Sequence, residues 1–215
     1  MARKRTARRA GAPSAAGNRL RRPRNELRII GGKWRGRRIR FAPVEGLRPS
    51  PDRVRETLFN WLREAVPGSR CLDLFAGSGA LGLEALSRGA NRAVFIERDP
   101  QAVRELQANL EMLDAAAADV RREDALRFLH GPASSFDVVF LDPPFASNYL
   151  AEVCRLLDAR GWLAPGAHIY IERPAREALD DLPKGWTVLR SKRAGEVGYH
   201  LAQRDTAASV QRESP

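Results

Sequence analysis

Residues 71–89, CLDLFAGSGALGLEALSRG, predict a strand, a glycine turn and a helix in direct succession. The strand is a short apolar run with one acid, Asp73, and the turn at 77–79 holds two glycines around a serine, so that backbone can approach a ligand closely. The leucines and alanines that follow recur at helical spacing, and Gly89 is suited to a left-handed cap. This order of elements is typical of a nucleotide-cofactor site in an α/β fold.

Two cofactors are compatible with this turn. Its glycines match the dinucleotide fingerprint G-x-G-x-x-G at Gly77, Gly79 and Gly82. The acids Glu97 and Asp99 follow at about the 20-residue interval that a nicotinamide enzyme requires. Asp73 argues against NAD, because a carboxylate just before the glycines repels a pyrophosphate and attracts a cation. S-adenosylmethionine carries a sulfonium and an α-ammonium group and no phosphate, so the stretch favours it.

The basic residues of the chain are concentrated ahead of this turn. Of the 215 residues, those at 1–40 include fifteen Lys and Arg against one acid, whereas those at 41–215 include twenty-two against twenty-five. The formal net charge of +11 therefore arises from the N-terminal part, which suggests a docking element for a polyanion joined to a nearly neutral enzyme. A tail that only increases solubility is the alternative. We expect residues 1–25 to be disordered and residues 205–215 to form a flexible tail.

Other function classes have little support in the sequence. Two cysteines and three scattered histidines have no metal-ligand spacing, so we expect no metal site, and a reducing, cytoplasmic location. No apolar run reaches membrane-spanning length, and the start of the chain lacks a signal-peptide apolar region. The Arg-rich start has some features of an organellar transit peptide, but its glycines and proline weaken an amphipathic helix there.

Residues 26–45 are predicted to form a basic β-hairpin around a glycine turn. Aromatic residues interleave with cations in this segment, which suits a surface that binds phosphates and stacks a base. The candidate RNA-binding residues here are Arg28, Lys33, Trp34, Arg35, Arg37 and Arg38. For Trp34, packing on the core is an equally good interpretation.

A helix is predicted after the loop that contains Arg48 and Arg53. Ser50 is a plausible N-cap, Pro51 suits the first helical position, and an acid at 52 complements the helix dipole. Because the loop enters the enzyme domain, 46–204, beside the cofactor turn, Arg48 and Arg53 are further candidates for substrate contact.

Acids follow the next two predicted strands. Glu97 ends a buried strand, where a carboxylate can accept hydrogen bonds from both ribose hydroxyls. Asp124 and Ala125 come just past the following strand, where an acid can hold an adenine amino group; surface solvation is the alternative for Asp124.

The chain has a second chemical motif at 142–145, DPPF, directly after the apolar run 136–141. Each proline excludes the helical region for the residue before it, so Asp142 and Pro143 are held extended at the end of the strand. An amine can then donate its two hydrogens to the Asp142 carboxylate and the Pro143 carbonyl, with Pro144 and Phe145 completing the site and Phe145 stacking on a base. Alternating strands and helices predict an open, mostly parallel sheet with ligands at the carboxyl ends of its strands. Residues 186–191 and 197–201 suggest an antiparallel pair that closes this sheet.

Together, the glycine turn and DPPF resemble the class I, Rossmann-like S-adenosylmethionine-dependent methyltransferases that act on exocyclic amines. With RIIGGKWRG at 28–36 and LRPSPDRVRETLFNWL at 47–62, the chain closely resembles the RsmD family of 16S ribosomal RNA guanine-N2 methyltransferases over roughly 27–204. Ser50 and Pro51 depart from the threonines expected in this family, and the basic leader is longer than usual.

This resemblance implies a seven-stranded sheet with helices on both faces, and methylation of the N2 amine of one guanine in the 16S RNA of an assembling 30S subunit by a monomer. It also implies cofactor-binding residues, namely Asp73, Phe75, Ala76, Gly77, Ser78, Gly79, Glu97, Asp124 and Ala125, and a catalytic motif at 142–145. The alternatives are an adenine-N6 DNA methyltransferase, an NAD-dependent oxidoreductase and an RNA-binding protein without catalysis.

Overall fold

A computed structural model describes residues 25–42, 50–144, 149–180 and 182–206. The strands are β1 (Glu26–Arg28), β2 (Arg38–Arg40), β3 (Arg70–Asp73), β4 (Arg92–Glu97), β5 (Ala118–Arg122), β6 (Phe136–Leu141), β7 (Leu163–Pro174), β8 (Trp186–Ala194) and β9 (Val197–Arg204). The helices are α1 (Asp52–Trp61), α2 (Ala80–Ser87), α3 (Pro100–Met112), α4 (Ala125–His130) and α5 (Tyr149–Ala159), with a short 3-10 helix at Gly32–Trp34.

Strands β3 to β9 form one seven-stranded sheet in the order β5-β4-β3-β6-β7-β9-β8. The first five of these are parallel, and β9 runs antiparallel between β7 and β8. The near-continuous apolar runs of β4 and β6 fit strands that are buried on both faces. The prediction of a mostly parallel sheet closed by an antiparallel pair is confirmed.

The helices cover both faces of this sheet with two apolar cores. One core joins the N-terminal hairpin and α1, α2 and α3 to one face, and the other joins α4 and α5 to the opposite face. Trp162 is buried in the second core, where its indole N–H donates to the Leu129 carbonyl at 3.1 Å. Each face of the central strands is thereby shielded from water, so ligands can reach the sheet only at its ends.

The hairpin β1–β2 packs directly on the enzyme domain through α2. Glu84, fully buried on α2, accepts the backbone N–H groups of Ile30 at 2.8 Å and Gly31 at 2.7 Å. Its carboxylate also lies 2.8 Å from Arg88 Nε and 3.6 Å from Nη1 of the buried Arg55. A buried carboxylate with these partners anchors the hairpin to the same helix that follows the glycine turn.

The start of α1 differs from the prediction. The helix begins at Asp52, Pro51 lies at the N-cap position, and no side chain caps the helix. The proposed cap, Ser50, instead donates its hydroxyl to Glu172 at 2.5 Å. The prediction was wrong because a buried carboxylate 122 residues away competes for the hydroxyl, and local sequence does not reveal that contact.

Within the described segments, no helix is both long and apolar enough to cross a membrane. Residues 43–45 of the predicted hairpin segment lie outside the described residues. The two predicted tails, 1–25 and 205–215, lie almost entirely outside them.

Candidate active site

The glycine turn lies at the carboxyl end of β3, as predicted. Gly77 and Gly79 have positive φ angles of 49° and 74°, and α2 begins at the next residue, Ala80. A Cβ on Gly79 would lie 2.4 Å from Leu106 Cδ1, so the position needs glycine for both its backbone angle and its contact. Ala76 and Ser78 are buried beside the glycines, and the ring of Phe75 contacts that of Tyr149 with 5.6 Å between centroids.

Asp73, the last residue of β3, occupies the N-terminus of α2 with its own carboxylate. Its Oδ2 accepts the backbone N–H of Gly82, in the first turn of the helix, at 3.0 Å. A dinucleotide pyrophosphate binds at this end of the corresponding helix in Rossmann folds. Here the protein supplies the anion itself, which disfavours a phosphate at this position.

The Asp73 side chain is buried, with 3% of the residue exposed. Burial raises its pKa to about 7, against the hydrogen bond from Gly82, and the nearby charge of Glu97 raises it further. A carboxyl in this state gains from a cation that arrives beside it, because the cation restores the ionised form.

The other predicted cofactor residues lie at the ends of the neighbouring strands. Glu97, at the end of β4, accepts the backbone N–H groups of Gly77 at 2.8 Å and Asp99 at 2.7 Å, so it fixes the glycine turn. Asp124 caps α4 through the N–H groups of its first turn, and its Oδ2 accepts the Tyr149 hydroxyl at 3.2 Å. Ala125, the first residue of α4, is buried. The simple solvation considered for Asp124 is therefore not its state here.

Asp142 and Pro143 directly follow β6, next to the end of β3. The two strands pair with Asp73 opposite Phe140, which brings the glycine turn and Asp142 to adjacent strand ends. Asp142 is half-buried, Pro143 is buried and Pro144 is exposed, whereas Phe145 lies outside the described residues. Burial raises the pKa of Asp142 well above its usual value, and the charges of Glu172 and Asp73 add to the rise.

Glu172, which is not among the predicted site residues, lies beside Asp142 in the structure. The register of β6 and β7 pairs Leu141 with Ile171, so the next residue on each strand is Asp142 and Glu172 respectively. Glu172 is 5% exposed and accepts hydrogen bonds from the hydroxyl groups of Ser50 at 2.5 Å and Tyr170 at 2.7 Å. An acid within the apolar run AHIYIE was the available signal, since ionised side chains are rarely buried without a role.

The four acids at the strand ends have no cationic partner in the described part of the chain. None of the ion pairs there involves Asp73, Glu97, Asp142 or Glu172. These residues also do not converge with a third ligand into a metal-type cluster, and no such cluster occurs elsewhere in the described residues. A group of carboxylates without cationic partners fits the sulfonium and ammonium groups of S-adenosylmethionine better than a diphosphate.

The predicted RNA-binding residues divide into exposed and buried groups. Arg28, Lys33, Arg35, Arg37, Arg38 and Arg53 are exposed, and Arg48 lies outside the described residues. Trp34 is 8% exposed and packs in the core beneath the hairpin, so of its two interpretations the structure favours packing on the core. Its backbone N–H donates to Ser87 Oγ at 2.9 Å, which fixes the residue on α2.

The chain is similar in sequence to known methyltransferases. A family model described as Conserved hypothetical protein 95 matches residues 27–203. Ribosomal RNA small subunit methyltransferase D of Escherichia coli (strain K12) is 48% identical, over 84% of this chain and 91% of that protein. The protein of the same name from Haemophilus influenzae is 46% identical, over 84% of this chain and 95% of its own length.

Solved structures agree with this match. The Escherichia coli protein described as "Putative methyltransferase yhhF" superposes with a TM-score of 0.80 at 48% identity, covering 84% of this chain and 99% of that one. An RNA methyltransferase from Salinibacter ruber, solved in complex with S-adenosyl-L-homocysteine, has a TM-score of 0.57 at 20% identity and covers 74% of this chain and 94% of that one. The latter similarity concerns the fold alone.

Proposed function

Because the chain belongs to the RsmD family of small-subunit ribosomal RNA methyltransferases, we propose that it methylates the exocyclic N2 amine of a guanine in 16S RNA. The methyl donor is S-adenosylmethionine, and the proposed substrate is the RNA of an assembling 30S subunit. The observation that carries the proposal is the pairing of β3 with β6. It brings Asp73, an acid suited to a cationic cofactor, close to Asp142 and Pro143, which we propose bind the amine.

The cofactor-binding role proposed for the glycine turn rests on its contacts. Glu97 supports the turn through Gly77, and Asp73 supports it through Gly82. We assign the sulfonium and methionine end of the cofactor to Asp73 and the turn at 75–79, the ribose to Glu97, and the adenine to Asp124 and Ala125. Bound S-adenosylmethionine would supply an electrophilic methyl group at the carboxyl ends of these strands.

The catalytic role proposed for Asp142 and Pro143 rests on their acceptor oxygens. No donor from the described residues reaches the Asp142 carboxylate, although it is half-buried, so it is available to an amine hydrogen. Pro143 and Pro144 restrict the backbone at 142 and 143 to extended conformations, which holds the carboxylate and the Pro143 carbonyl in fixed directions.

These two acceptors would prepare a weak nucleophile. The lone pair of an exocyclic amine is delocalised into the base ring, and hydrogen bonds from both N–H groups to fixed acceptors favour a more tetrahedral nitrogen. Positioning the amine in line with the methyl group accounts for much of the acceleration. The raised pKa of Asp142 also suits a carboxylate that accepts the proton released by the methylated nitrogen.

RNA docking is proposed for the exposed cations of the hairpin and of α1. Lys33, Arg35 and Arg53 are exposed and form no ion pair with a described residue. Arg38, by contrast, lies 3.5 Å from Glu26, which partly neutralises it. The target guanine must be unpaired or flipped out of its helix, because an amine within a stacked duplex cannot reach the end of a covered sheet.

The test is a labelled-methyl transfer assay with 30S particles, naked 16S RNA and DNA as substrates, followed by mapping of the modified base. N2-methylguanine in the small-subunit RNA is the expected product. N6-methyladenine in DNA would replace the proposal with the nearest alternative. Binding of RNA without any transfer would support the non-catalytic interpretation, and NAD binding with hydride transfer would support an oxidoreductase.

A further inference from the structure

Glu172 is a buried acid whose contacts leave one of its oxygens free. Both hydroxyl donors, Ser50 and Tyr170, reach the same atom, Oε1, at 2.5 Å and 2.7 Å. No described residue donates to Oε2. Oε2 is also not one of the buried side-chain atoms that lack a hydrogen-bond partner among the described residues. It is therefore an acceptor that a ligand can reach, and its residue is otherwise buried.

Glu172 lies next to Asp142, where β6 ends. Adjacent parallel strands are about 5 Å apart, and Asp142 and Glu172 are the neighbouring residues that follow the Leu141–Ile171 pair. The charge of Glu172 contributes to the raised pKa of Asp142, which agrees with this proximity. Two carboxylates thus lie close together at the segment proposed to bind the target amine.

The pair matches one base edge in particular. Guanine carries donors at two adjacent positions, the N2 amine and N1–H, whereas adenine has an acceptor at N1. An ionised carboxylate accepts hydrogen bonds and donates none. A site with two adjacent carboxylates therefore favours a base with two adjacent donors, and it leaves an adenine N1 lone pair facing a negative charge.

We infer that Glu172 is the residue that selects guanine, by accepting its N1–H through Oε2 while Asp142 accepts an N2 hydrogen. This inference rests on the proposed function and specifies its base. Ser50 and Tyr170 act as positioning residues, since their hydroxyls hold Oε1 and thereby orient Oε2 towards the base. Ser50 is the position where the family resemblance predicts threonine, and either residue provides the hydroxyl.

The two hydroxyl groups also favour the ionised state of Glu172. Burial raises the pKa of Glu172, and the hydrogen bonds from Ser50 and Tyr170 oppose that rise by stabilising the ionised form. Loss of the Ser50 hydroxyl would weaken both the orientation and the charge of the acceptor.

The decisive substrate is 2-aminopurine, which has the N2 amine of guanine but no hydrogen on N1. After the methylated base has been mapped, a synthetic RNA segment with guanine or 2-aminopurine at that position is ligated into 16S RNA and assembled into particles. The full-length enzyme, Glu172→Gln, Ser50→Ala and Asp142→Asn are compared by kcat/KM on each substrate. S-adenosylmethionine binding and thermal unfolding are measured for every variant to verify that it is folded.

The wild-type enzyme is expected to prefer guanine by about 10- to 10²-fold, the range for a hydrogen bond to a charged acceptor. Glu172→Gln keeps an acceptor for the hydroxyls and places an amide donor towards N1, so the preference should vanish or reverse. Asp142→Asn should reduce transfer to both bases without changing their ratio. Ser50→Ala should reduce the preference only partly.

Equal wild-type transfer to guanine and 2-aminopurine would overturn the inference while leaving N2 methylation intact. An unchanged ratio in a folded Glu172→Gln variant would overturn it as well. Failure of the proposed function has a separate signature, since neither of the two bases would then be methylated at N2 by the wild-type enzyme.

Discussion

Replacement of Asp73 by Asn tests whether this acid binds the cationic cofactor. The side chain is buried at the end of β3, has no cationic partner among the described residues, and has a pKa raised to about 7 by burial. Asparagine retains the shape and can still accept the N–H of Gly82 through its amide oxygen. The substitution therefore removes the charge and the titration while preserving the local hydrogen bond.

The raised pKa sets the size of the effect. If S-adenosylmethionine binds the ionised form, a pKa of about 7 leaves about a tenth of the protein competent at about pH 6 and about nine tenths at about pH 8. The affinity of the wild-type protein should then be about tenfold lower at the acidic end. Asp73→Asn should bind more weakly at the upper pH and lose most of this dependence.

Isothermal titration calorimetry in buffers of different ionisation enthalpy measures both quantities, the affinity and the protons released on binding. S-adenosylhomocysteine, which lacks the sulfonium charge, should show a weaker pH dependence. Asp119→Asn is the matched control, because Asp119 is a carboxylate at the surface that pairs with Arg92 and Arg121. A wild-type affinity that is constant from acidic to neutral pH, or the same slope in Asp73→Asn, would refute this reasoning.

The same substitution, which should weaken cofactor binding, should stabilise the folded protein. A carboxyl whose pKa is raised on folding contributes stability that is present below the unfolded-state pKa and is lost as pH rises through about 7. Without cofactor, Asp73→Asn should therefore raise the unfolding free energy at mildly alkaline pH, by an amount on the order of a few kcal/mol. Urea unfolding across this pH range measures the change, and a destabilised variant would contradict it.

Three further predictions concern other parts of the chain. Asp142→Ala should reduce methyl transfer by on the order of 10² to 10⁴ without loss of cofactor binding, and near-normal turnover would exclude its proposed role. Glu84→Ala should lower the unfolding free energy by about 3–5 kcal/mol in urea, since the buried Arg55 then keeps only the exposed Asp52 as a counter-charge and the N–H groups of Ile30 and Gly31 lose their acceptor; a loss well below about 1 kcal/mol would mean that the hairpin is held elsewhere. Deletion of residues 1–25 should weaken RNA binding and flatten its salt dependence by about 0.7–0.9 of a logarithmic unit for each phosphate that the protein no longer neutralises, whereas an unchanged slope would identify the segment as a solubilising tail.

The fold was predictable because its strongest signals are local. A strand, a glycine turn and a helix appear in direct succession at residues 71–89, and the apolar run at 136–141 identifies a central strand without reference to distant residues. The closing antiparallel pair was also visible, as β8 and β9. The error at Ser50 was of another kind. Its hydroxyl satisfies a carboxylate on β7, and a local capping rule contains no information about that partner.

The site was predictable to the extent that chemistry follows strand ends. Asp73 and Asp142 are 69 positions apart, and their proximity follows from the parallel pairing of β3 with β6. The proximity of Glu172 to Asp142 follows from the register of β6 and β7, which the sequence alone does not reveal. Trp34 was ambiguous because alternating aromatic and basic residues describe both a packed hairpin and a stacking surface, and only its burial separates the two.

The glycine fingerprint alone could not separate NAD from S-adenosylmethionine, because both cofactors need backbone that approaches closely. The two cofactors are distinguished by whether the N–H groups at the start of α2 are free to bind an anion. Asp73 occupies one of them through Gly82, nine residues further along the chain. The hydrogen bond holds a negative charge at the helix N-terminus, so a diphosphate meets a like charge there and a sulfonium meets an opposite one. One side chain, four residues before the glycines, therefore disfavours one class of cofactor by the same interaction that attracts the other.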